Sequence, residues 1–246
     1  MSLKNKVAIV TGASQGIGLA TCRRFINEDI QSLIMISSSN ENLTNALKQL
    51  NSLPNIYPFQ CDFSNKENID KTFKNIFSQF SHIDILINNA GIIDDSPVLN
   101  MTEFQLQHVM DINFYASFYC IQKVLPIMIK QNYGKIVNVS STSKFGTVNK
   151  ANYAASKAAL DALTRTLAKE VASNNITVNS VVPELIDTDM LKSIPSDILS
   201  NIIASSPMKR LGTTDEIASI IYFLSCDDSS YITGENIIAS GGLMTI

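Results

Sequence analysis

Short apolar runs alternate with amphipathic segments along the chain. Seven of these runs predict strands, at residues 7–11, 32–36, 56–61, 83–88, 135–140, 177–182 and 236–239. The runs around Leu86 and Val137 are apolar throughout, which is typical of strands covered on both faces. Between the runs lie segments whose apolar residues recur at helical spacing, most clearly over residues 156–172. The pattern predicts an α/β fold: a single domain over residues 1–246, built on a doubly wound, mostly parallel sheet of about seven strands with helices on both faces.

The first predicted strand leads directly into a glycine-rich turn that opens a helix. The turn reads Gly12-Ala13-Ser14-Gln15-Gly16-Ile17-Gly18. In this arrangement, backbone N–H groups and the positive end of the helix face an anion such as a pyrophosphate. Gly12 can take the sharp turn, Gly16 lets the backbone approach the phosphate, and Gly18 permits close packing of helix on strand. The turn therefore predicts a Rossmann-type dinucleotide site at the carboxyl end of the first strand.

Tyr153 and Lys157 are four residues apart, so they share one face of a helix. There the ammonium group would stabilise a tyrosinate and lower the pKa of a phenol that normally titrates near ~10. Tyr153 would then exchange a proton with a carbonyl or alcohol oxygen. The same spacing also occurs on ordinary solvated helix faces, so the pair carries weight only together with the other motifs.

A third motif, Asn88-Asn89-Ala90-Gly91, follows the fourth predicted strand. The order Gly-x-x-x-Gly-x-Gly, Asn-Asn-Ala-Gly, Tyr-x-x-x-Lys resembles the classical short-chain dehydrogenase/reductase family, from Lys6 to about Gly242. The resemblance implies an NAD(P)(H)-dependent oxidoreductase that moves hydride between nicotinamide and a carbonyl or secondary alcohol. The likeness is greatest to 3-oxoacyl-acyl carrier protein reductases, on the segments 207–212 and 231–234.

The resemblance also implies a catalytic set of Asn113, Ser141, Tyr153 and Lys157. Ser141 would hydrogen-bond the substrate oxygen, and Lys157 would lower the pKa of Tyr153 and bind the nicotinamide ribose. Asn113 would hold a water that connects Lys157 to solvent, unless its side chain instead caps or kinks its own helix. Ser141 is favoured because the active serine of the family usually comes second in such a pair. The loop before Tyr153 is one residue shorter than is common, which keeps Ser140 open.

Further residues match the family's cofactor contacts. Asp62 would meet the adenine amine, and Ile186 and Thr188 the nicotinamide carboxamide, while Asn88 is open to a purely structural role between strands. The full set is Gly12, Ser14, Gln15, Gly16, Ile17, Gly18, Ser37, Ser38, Asp62, Phe63, Asn89, Ala90, Gly91, Tyr153, Lys157, Pro183, Ile186 and Thr188.

The choice of cofactor depends on the end of the second strand. NAD-selective members carry an acid there, which binds the ribose 2′-hydroxyl and repels a 2′-phosphate. Here Ser37 and Ser38 offer hydroxyls, and no acid precedes Glu41. No arginine is present to neutralise a phosphate, and Gln15 stands where phosphate-binding members often have arginine. We expect NADPH, with NADH as the alternative.

The substrate is predicted to be a 3-oxoacyl thioester, and the apolar segment 190–203 could cover its acyl chain. Asn132, Asn174 and Asp94 stand where acyl carrier protein reductases are often basic, so docking of an acidic carrier is left open. Glu184 replaces the usual glycine after the sixth strand, and we expect its charge to be exposed. The alternatives are a short-chain alcohol, sterol or sugar dehydrogenase of the same family and, more remotely, a non-catalytic NAD(P)-binding regulator.

Composition and charge fit a cytoplasmic enzyme. The 246 residues carry a formal net charge of −3, which gives no electrostatic reason to expect nucleic acid or an anionic membrane as a partner. The first residues lack the apolar run of a signal peptide, and no segment approaches the roughly 18 uninterrupted apolar residues of a membrane span. Four scattered cysteines predict small buried side chains in a reducing cytoplasm and no metal site: Cys22, Cys61, Cys120 and Cys226.

The family resemblance further implies a homotetramer. Its interfaces would involve the helices after the fourth and fifth strands and the C-terminal region. Five apolar residues fit either such an interface or the core: Phe114, Tyr115, Phe118, Leu160 and Leu163.

Overall fold

Seven strands form one sheet, in which every neighbouring pair is parallel. The structure is a computed structural model that describes residues 2–189, 191 and 196–244. The strand order is β3-β2-β1-β4-β5-β6-β7, so the chain winds outward in both directions from the β1–β4 pair. The strands are β1 Val7–Thr11, β2 Ser32–Ser37, β3 Ile56–Gln60, β4 Ile85–Asn88, β5 Gly134–Val139, β6 Ile176–Pro183 and β7 Asn236–Ala239. The predicted doubly wound architecture is confirmed.

Within the described residues, eight α-helices connect or flank these strands. They are α1 Gly16–Asn27, α2 Asn40–Gln49, α3 Lys66–Phe77, α4 Glu103–Met110, α5 Ala116–Gln131, α6 Ala151–Val171, α7 Ser196–Ser205 and α8 Thr214–Leu224. A π-helical turn, Asp111–Tyr115, joins α4 to α5, and a 3₁₀ turn, Thr142–Phe145, follows β5.

Each strand contributes alternate side chains to two apolar layers, because successive strand residues point to opposite faces. Ala8 and Val10 of β1 belong to the layer that includes residues of α1, α2 and α8. Val7 and Ile9 belong to the opposite layer, which includes residues of α3, α5 and α6. Both faces of the central strands are therefore covered, which explains why their sequences are apolar without alternation.

Helix α6 begins five residues before the apolar pattern that predicted it. The pattern indicated residues 156–172, whereas the helix starts at Ala151. Its first turn is anchored by polar contacts: the Asn152 amide donates to the backbone carbonyls of Asp94 and Gln105, at 2.8 and 3.2 Å. Apolar periodicity does not detect a helix start held in this way, and the difference places Tyr153 in the first turn of α6.

The continuous helical stretch Glu103–Gln131, which includes α4, the π-helical turn and α5, is 29 residues long. Within the described ranges, it is the one helix long and apolar enough to cross a membrane by length and composition. Val124 and Met128 of α5 are fully buried in the apolar layer beneath the sheet. The stretch is thus a core helix of the fold.

Candidate active site

A cavity of about 1010 Å³ opens at the carboxyl ends of the strands. Its wall includes residues that follow β1, β2, β3, β4, β5 and β6, the site expected for a ligand of a doubly wound sheet. The predicted site residues in the wall are Gly12, Ser14, Gln15, Gly16, Ile17, Ser37, Ser38, Asp62, Phe63, Asn89, Ala90, Gly91, Ser141, Tyr153, Lys157, Pro183, Ile186 and Thr188. Two predicted residues, Gly18 and Asn113, lie behind the wall.

The glycine-rich turn presents the start of α1 to this cavity. Gln15 is the N-cap and its side chain makes no capping hydrogen bond, so the first N–H groups of the helix are left for a ligand. Gly12 and Gly16 have φ of +62° and +53°, a region that favours glycine. A Cβ built on Gly16 would meet just one atom within 4 Å, at 3.7 Å, so the missing side chain leaves room at the helix end. These features fit the pyrophosphate of a dinucleotide.

Gly18 keeps α1 close to the end of β1. A Cβ at this position would lie 2.2 Å from the carbonyl oxygen of Gly12 and 2.6 Å from Nδ2 of Asn89. The Asn89 amide in turn donates to the carbonyls of Thr11 and Gly12, both at 3.0 Å. Gly18 therefore allows α1 to pack against the glycine-rich turn, and Asn89 holds that turn by hydrogen bonds.

Asn88, the last residue of β4 and directly before Asn89, bonds to the neighbouring strand. Its amide donates to Oδ1 of Asn138 on β5 at 2.8 Å, and Asn138 donates to Oγ1 of Thr164 on α6 at 2.8 Å. The structural role considered for Asn88 is confirmed.

The end of β2 forms a polar corner of the cavity. The Ser14 and Ser37 hydroxyls lie 2.8 Å apart and are buried, whereas Ser38 is exposed. Asp62 accepts from the backbone N–H and the hydroxyl of Ser64, at 2.9 and 2.7 Å. The nearest carboxylate in the sequence after β2, on Glu41, is not part of the cavity wall.

Ser141 and Tyr153 both line the cavity, and the Ser141 hydroxyl is close enough to the phenol to lower its pKa. Ser141 caps the 3₁₀ turn after β5 by accepting from the N–H of Ser143 at 3.2 Å. Ser140 is 3% exposed, and its hydroxyl turns to the backbone carbonyl of Lys157 at 3.4 Å. The geometry therefore brings Ser141, rather than Ser140, to the tyrosine.

The expected lowering of the Tyr153 pKa is wrong for this structure. Burial raises the pKa of the phenol above its usual value, and the Ser141 hydroxyl opposes the rise in part. Asp95 adds a further upward push by its negative charge. Because the phenol stays protonated at neutral pH, Tyr153 is suited to donate a proton rather than to accept one.

Lys157 lies beside Tyr153, with Nζ 5.6 Å from the centre of the phenol ring. The ammonium group donates to the backbone carbonyl of Val139 at 2.7 Å. Burial lowers the pKa of Lys157 to about 8, while the negative charge of Asp161 raises it. At neutral pH the lysine is mostly charged. Its ammonium group lies 5.6 Å from the ring centre, and burial is the larger influence on the pKa of Tyr153.

Asn113 belongs to the π-helical turn and is fully buried. Its Oδ1 accepts from the N–H of Ile92 at 2.8 Å, while its amide donates to the Ile92 carbonyl at 3.0 Å and to Oγ of Ser156 at 3.1 Å. The side chain thus ties the loop after β4 to α6. It lies near Lys157, since both flank Gly91, where a Cβ would be 3.3 Å from Asn113 Oδ1 and 3.5 Å from Lys157 Nζ.

Glu184 is not the exposed charge that we expected. It lines the cavity directly after β6, and its Oε2 atom is buried without a hydrogen-bond partner among the described residues. Burial raises the pKa of this carboxyl group, and the nearby Thr142 side chain opposes the rise in part. The next residue, Leu185, has φ of +51°, a strained value for leucine that turns the chain at this point. The Glu184 N–H donates to the carbonyl of Ala239, the last residue of β7, at 3.0 Å.

Several cavity residues were missed by the sequence analysis. Asp95 and Lys150 form an ion pair at 3.1 Å, and His108 reaches the wall from α4. Lys150 precedes Tyr153 by three residues, a signal available in the sequence. Asp95 follows the Asn88-Asn89-Ala90-Gly91 motif by four residues, whereas His108 comes from a segment with no motif, and only the fold brings it here.

Burial and the cavity wall bear on two predictions about apolar residues. Leu160 is 1% exposed inside the chain, so it is core and unavailable to a subunit interface. Leu191 and Ile202 line the cavity, as suggested for the segment 190–203. Met190 and Ile194 of that segment lie outside the described residues.

Comparison with known proteins gives relatives over almost the whole chain. The profile of a protein family described as Enoyl-(Acyl carrier protein) reductase matches residues 12–244. The 3-oxoacyl-[acyl-carrier-protein] reductase FabG of Thermotoga maritima is 38% identical over 246 residues, which are 99% of this chain and 100% of that protein. The protein of the same name from Salmonella typhimurium is 35% identical over 247 residues, which cover 100% of both chains.

A solved structure shows the same architecture. The crystal structure of levodione reductase superposes with a TM-score of 0.93 at 30% sequence identity, covering 98% of this chain and 98% of that one. The similarity therefore extends over the sheet, both helical layers and the cavity.

Proposed function

The chain belongs to the short-chain dehydrogenase/reductase family of nicotinamide-dependent oxidoreductases, and we propose that it reduces the keto group of a 3-oxoacyl thioester with NADPH. We also propose that residues 1–246 form one domain. The observation that carries the proposed activity is the neighbouring pair of Ser141 and Tyr153 in the cavity wall, which offers two hydroxyl groups to one carbonyl oxygen.

Each residue of the proposed catalytic set has one task. Bound NADPH would supply the hydride. Tyr153, kept protonated by burial, gives its proton to the carbonyl oxygen, and Ser141 donates a hydrogen bond to the same oxygen. Lys157 provides positive charge beside the phenol as that proton leaves. Asn113 acts indirectly, because its hydrogen bonds hold the loop at Ile92 and the side chain of Ser156 next to these groups.

The cofactor would lie along the predicted contacts, from the polar corner at β2 to Thr188. The start of α1 and the glycine-rich turn would hold the pyrophosphate, and Lys157 the nicotinamide ribose. Ser37, Ser38 and Asn42 line the part of the corner next to β2 and carry no carboxylate, which supports acceptance of a 2′-phosphate there. The described wall has no arginine there either, so we propose a preference for NADPH and not strict selection.

We expect Ser38→Asp to reverse this preference. A carboxylate in the polar corner would repel a 2′-phosphate and accept from a 2′-hydroxyl, so NADPH should bind about tenfold more weakly or worse, with NADH affinity kept. Fluorescence titration with each cofactor measures both dissociation constants.

Ser39→Asp is the matched control for that variant. Ser39 lies outside the cavity wall and caps α2 by accepting from Asn42, a role that aspartate can take over. Ser39→Asp should raise the dissociation constant for NADPH far less than Ser38→Asp does. Wild-type protein that binds NADH tenfold better than NADPH would contradict the proposed cofactor.

Apolar residues in the wall support an acyl substrate. Ile92, Ile93, Leu185, Leu191 and Ile202 line the same cavity as the proposed catalytic groups. This supports an acyl chain next to the keto group. The thioester carrier stays open between acyl carrier protein and coenzyme A.

The basic residues expected for an acidic carrier are missing from three positions. Asp94 accepts from the Gln105 amide at 2.8 Å and is thereby tied to α4. Asn132 ends α5 in a left-handed conformation, and Asn174 lies in a 3₁₀ turn. None of these side chains would attract a carrier of high negative charge, which favours the coenzyme A thioester.

A small polar ketone or alcohol is the second candidate substrate. Glu184 supports it, because a carboxyl group in the wall suits a hydroxylated substrate better than a purely apolar one. The complete set of Ser141, Tyr153 and Lys157 in one cavity argues against a non-catalytic NAD(P)-binding regulator.

The decisive test is NADPH oxidation with two coenzyme A thioesters. Acetoacetyl coenzyme A carries a keto group, and crotonyl coenzyme A carries the double bond that an enoyl reductase would attack. We expect turnover with the first and little with the second, because the two hydroxyls of Ser141 and Tyr153 converge on an oxygen. Turnover with crotonyl coenzyme A alone would contradict the proposal. Turnover with neither, in protein that binds NADPH, would favour the alcohol dehydrogenase alternative.

We also propose a cytoplasmic homotetramer. The four cysteines are buried and unpaired, as suits a reducing compartment. Phe114, Tyr115, Phe118 and Tyr119 form a cluster of ring contacts on the helix after β4, and Tyr115 is 38% exposed. This cluster and the partly buried Leu163 support an interface on that side.

A further inference from the structure

Lys150 and Asp95 form an ion pair in the wall of the cavity, next to Tyr153. The Nζ and Oδ2 atoms are 3.1 Å apart, and the two side chains are 26% and 34% exposed. Lys150 is the N-cap residue of α6, and its Nζ lies 5.8 Å from the centre of the Tyr153 ring. Lys150 and Lys157 are the two ammonium groups in the described part of the wall. Because Lys157 is buried and donates to the carbonyl of Val139 at 2.7 Å, Lys150 is the more accessible of the two.

The ion pair is not needed to fasten the loop that carries Asp95. The Ser96 N–H donates to the carbonyl of Asn149 at 2.8 Å, and the Asn152 amide donates to the carbonyl of Asp94 at 2.8 Å. Both hydrogen bonds join the loop after β4 to the start of α6, as the ion pair does. A partly exposed ion pair adds little to stability. The pair therefore matters less as a fastening than as a means of holding an ammonium group at the cavity wall.

The ammonium group of Lys150 can bind a further oxygen atom. It has three N–H donors, and Asp95 contacts it through one carboxylate oxygen. A 3-oxoacyl thioester carries two carbonyl oxygens, on carbons separated by one methylene group. The keto oxygen would bind Tyr153 and Ser141, which leaves the thioester oxygen to be held. A charged donor suits this second oxygen, because hydrogen bonds from ionised groups are stronger than neutral ones.

We propose that Lys150 determines substrate specificity: its ammonium group, oriented by Asp95, donates a hydrogen bond to the second carbonyl oxygen of a 1,3-dicarbonyl substrate. The inference rests on the proposed carbonyl reduction, in which Tyr153 and Ser141 hold the keto oxygen. It adds a reason for the site to select 3-oxo esters and thioesters over ketones that have no second carbonyl group.

Two small ketones form a matched pair for the test. Ethyl acetoacetate and 4-ethoxy-2-butanone differ only in the ester carbonyl oxygen, which the second compound lacks. We expect Lys150→Met to lower kcat/KM about tenfold or more for ethyl acetoacetate, and less than about threefold for 4-ethoxy-2-butanone, since it removes a hydrogen bond from a charged group. Comparing the two ketones in each protein cancels their different intrinsic reactivity. Lys150→Arg keeps the positive charge and should keep most of the preference.

Asp95→Ala separates substrate recognition from a purely structural role. It removes the carboxylate but leaves the ammonium group, so the preference for ethyl acetoacetate should fall less than in Lys150→Met. An ion pair that only joined two loops would give both variants the same effect on both ketones. Lys66→Met is the matched control, since Lys66 pairs with Asp70 at 2.7 Å outside the cavity wall and should leave both kcat/KM values unchanged.

Binding of the ketones can also be measured without turnover. The complex of the protein with NADP⁺ has no hydride to transfer, and calorimetric titration should show that it binds ethyl acetoacetate more tightly than 4-ethoxy-2-butanone. Equal dissociation constants in the unaltered protein, or a preference that survives Lys150→Met, would overturn the inference. A preference that is lost in Lys150→Met, in a protein that reduces neither ketone, would refute the proposed function and leave the binding role of Lys150 intact.

Discussion

Replacing Tyr153 by phenylalanine should lower kcat for acetoacetyl coenzyme A by about 10²- to 10⁴-fold, the usual contribution of a positioned acid. The substitution removes one hydroxyl, which is the proposed proton donor and the group that Ser141 influences. The aromatic ring stays, so the packing of the first turn of α6 should be kept. Steady-state rates with saturating NADPH, together with a titration of NADPH binding, separate lost chemistry from lost cofactor.

Tyr231→Phe is the matched control for this prediction. Tyr231 is fully exposed, at 102% of the reference area, and makes no part of the cavity wall. The kcat of the Tyr231→Phe variant should equal that of the unaltered protein. A Tyr153→Phe protein that kept its rate while binding NADPH normally would refute the role assigned to the phenol.

Gly18→Ala should disrupt the dinucleotide site by displacing the glycine-rich turn. The added Cβ would meet the backbone of Gly12 at 2.2 Å, and backbone cannot swing aside as a flexible side chain can. Relief of the clash must move the turn that the Asn89 amide now fixes. We expect the free energy of unfolding to fall by about 1–3 kcal/mol, the usual cost of overpacking. NADPH affinity should fall with it, and urea unfolding and cofactor titration measure the two effects.

Gly134→Ala tests whether the effect comes from backbone contact. A Cβ on Gly134 would also meet an atom at 2.6 Å, but that atom is Sδ of Met128, and the next two contacts, at 2.9 and 3.1 Å, are with the same side chain rather than with backbone. Gly134 is not part of the cavity wall, so the substitution should lower stability but leave NADPH affinity the same. Equal losses of NADPH affinity in the two variants would show that Gly18 has no special function in the turn.

The sequence predicted those parts of the site that depend on local spacing. The glycine-rich turn directly follows β1, and Tyr153 and Lys157 are one helical turn apart, so neither relation needs knowledge of the whole fold. The sheet was equally accessible, because strands covered on both faces are short, apolar and separated by helices. The start of β4 at Ile85 was placed two residues too early, since the buried Ile83 precedes the strand pairing.

Burial and distant contacts were not predictable in this way. The direction of the Tyr153 pKa depends on how deeply the phenol is covered, which outweighs a lysine 5.6 Å from its ring. Glu184 enters the wall because of the turn at Leu185 and the pairing of β6 with β7. Lys144 and Asp161 are 17 residues apart and meet only after β5 and α6 have packed.

The π-helical turn gives the helix after β4 room for one residue more than an α-helical turn would hold. The N–H of Ala116 donates to the carbonyl of Asp111, five residues earlier, where an α-helix would use four. Deleting one residue there would close the turn to an α-helical one and leave α5 nearly in phase with α4, so Val124 and Met128 would still face the sheet. Asn113 lies in the turn, and the deletion would displace it from its contacts with Ile92 and Ser156. A chimera between this chain and a relative should accordingly be joined in the loop before Glu103, never inside the turn.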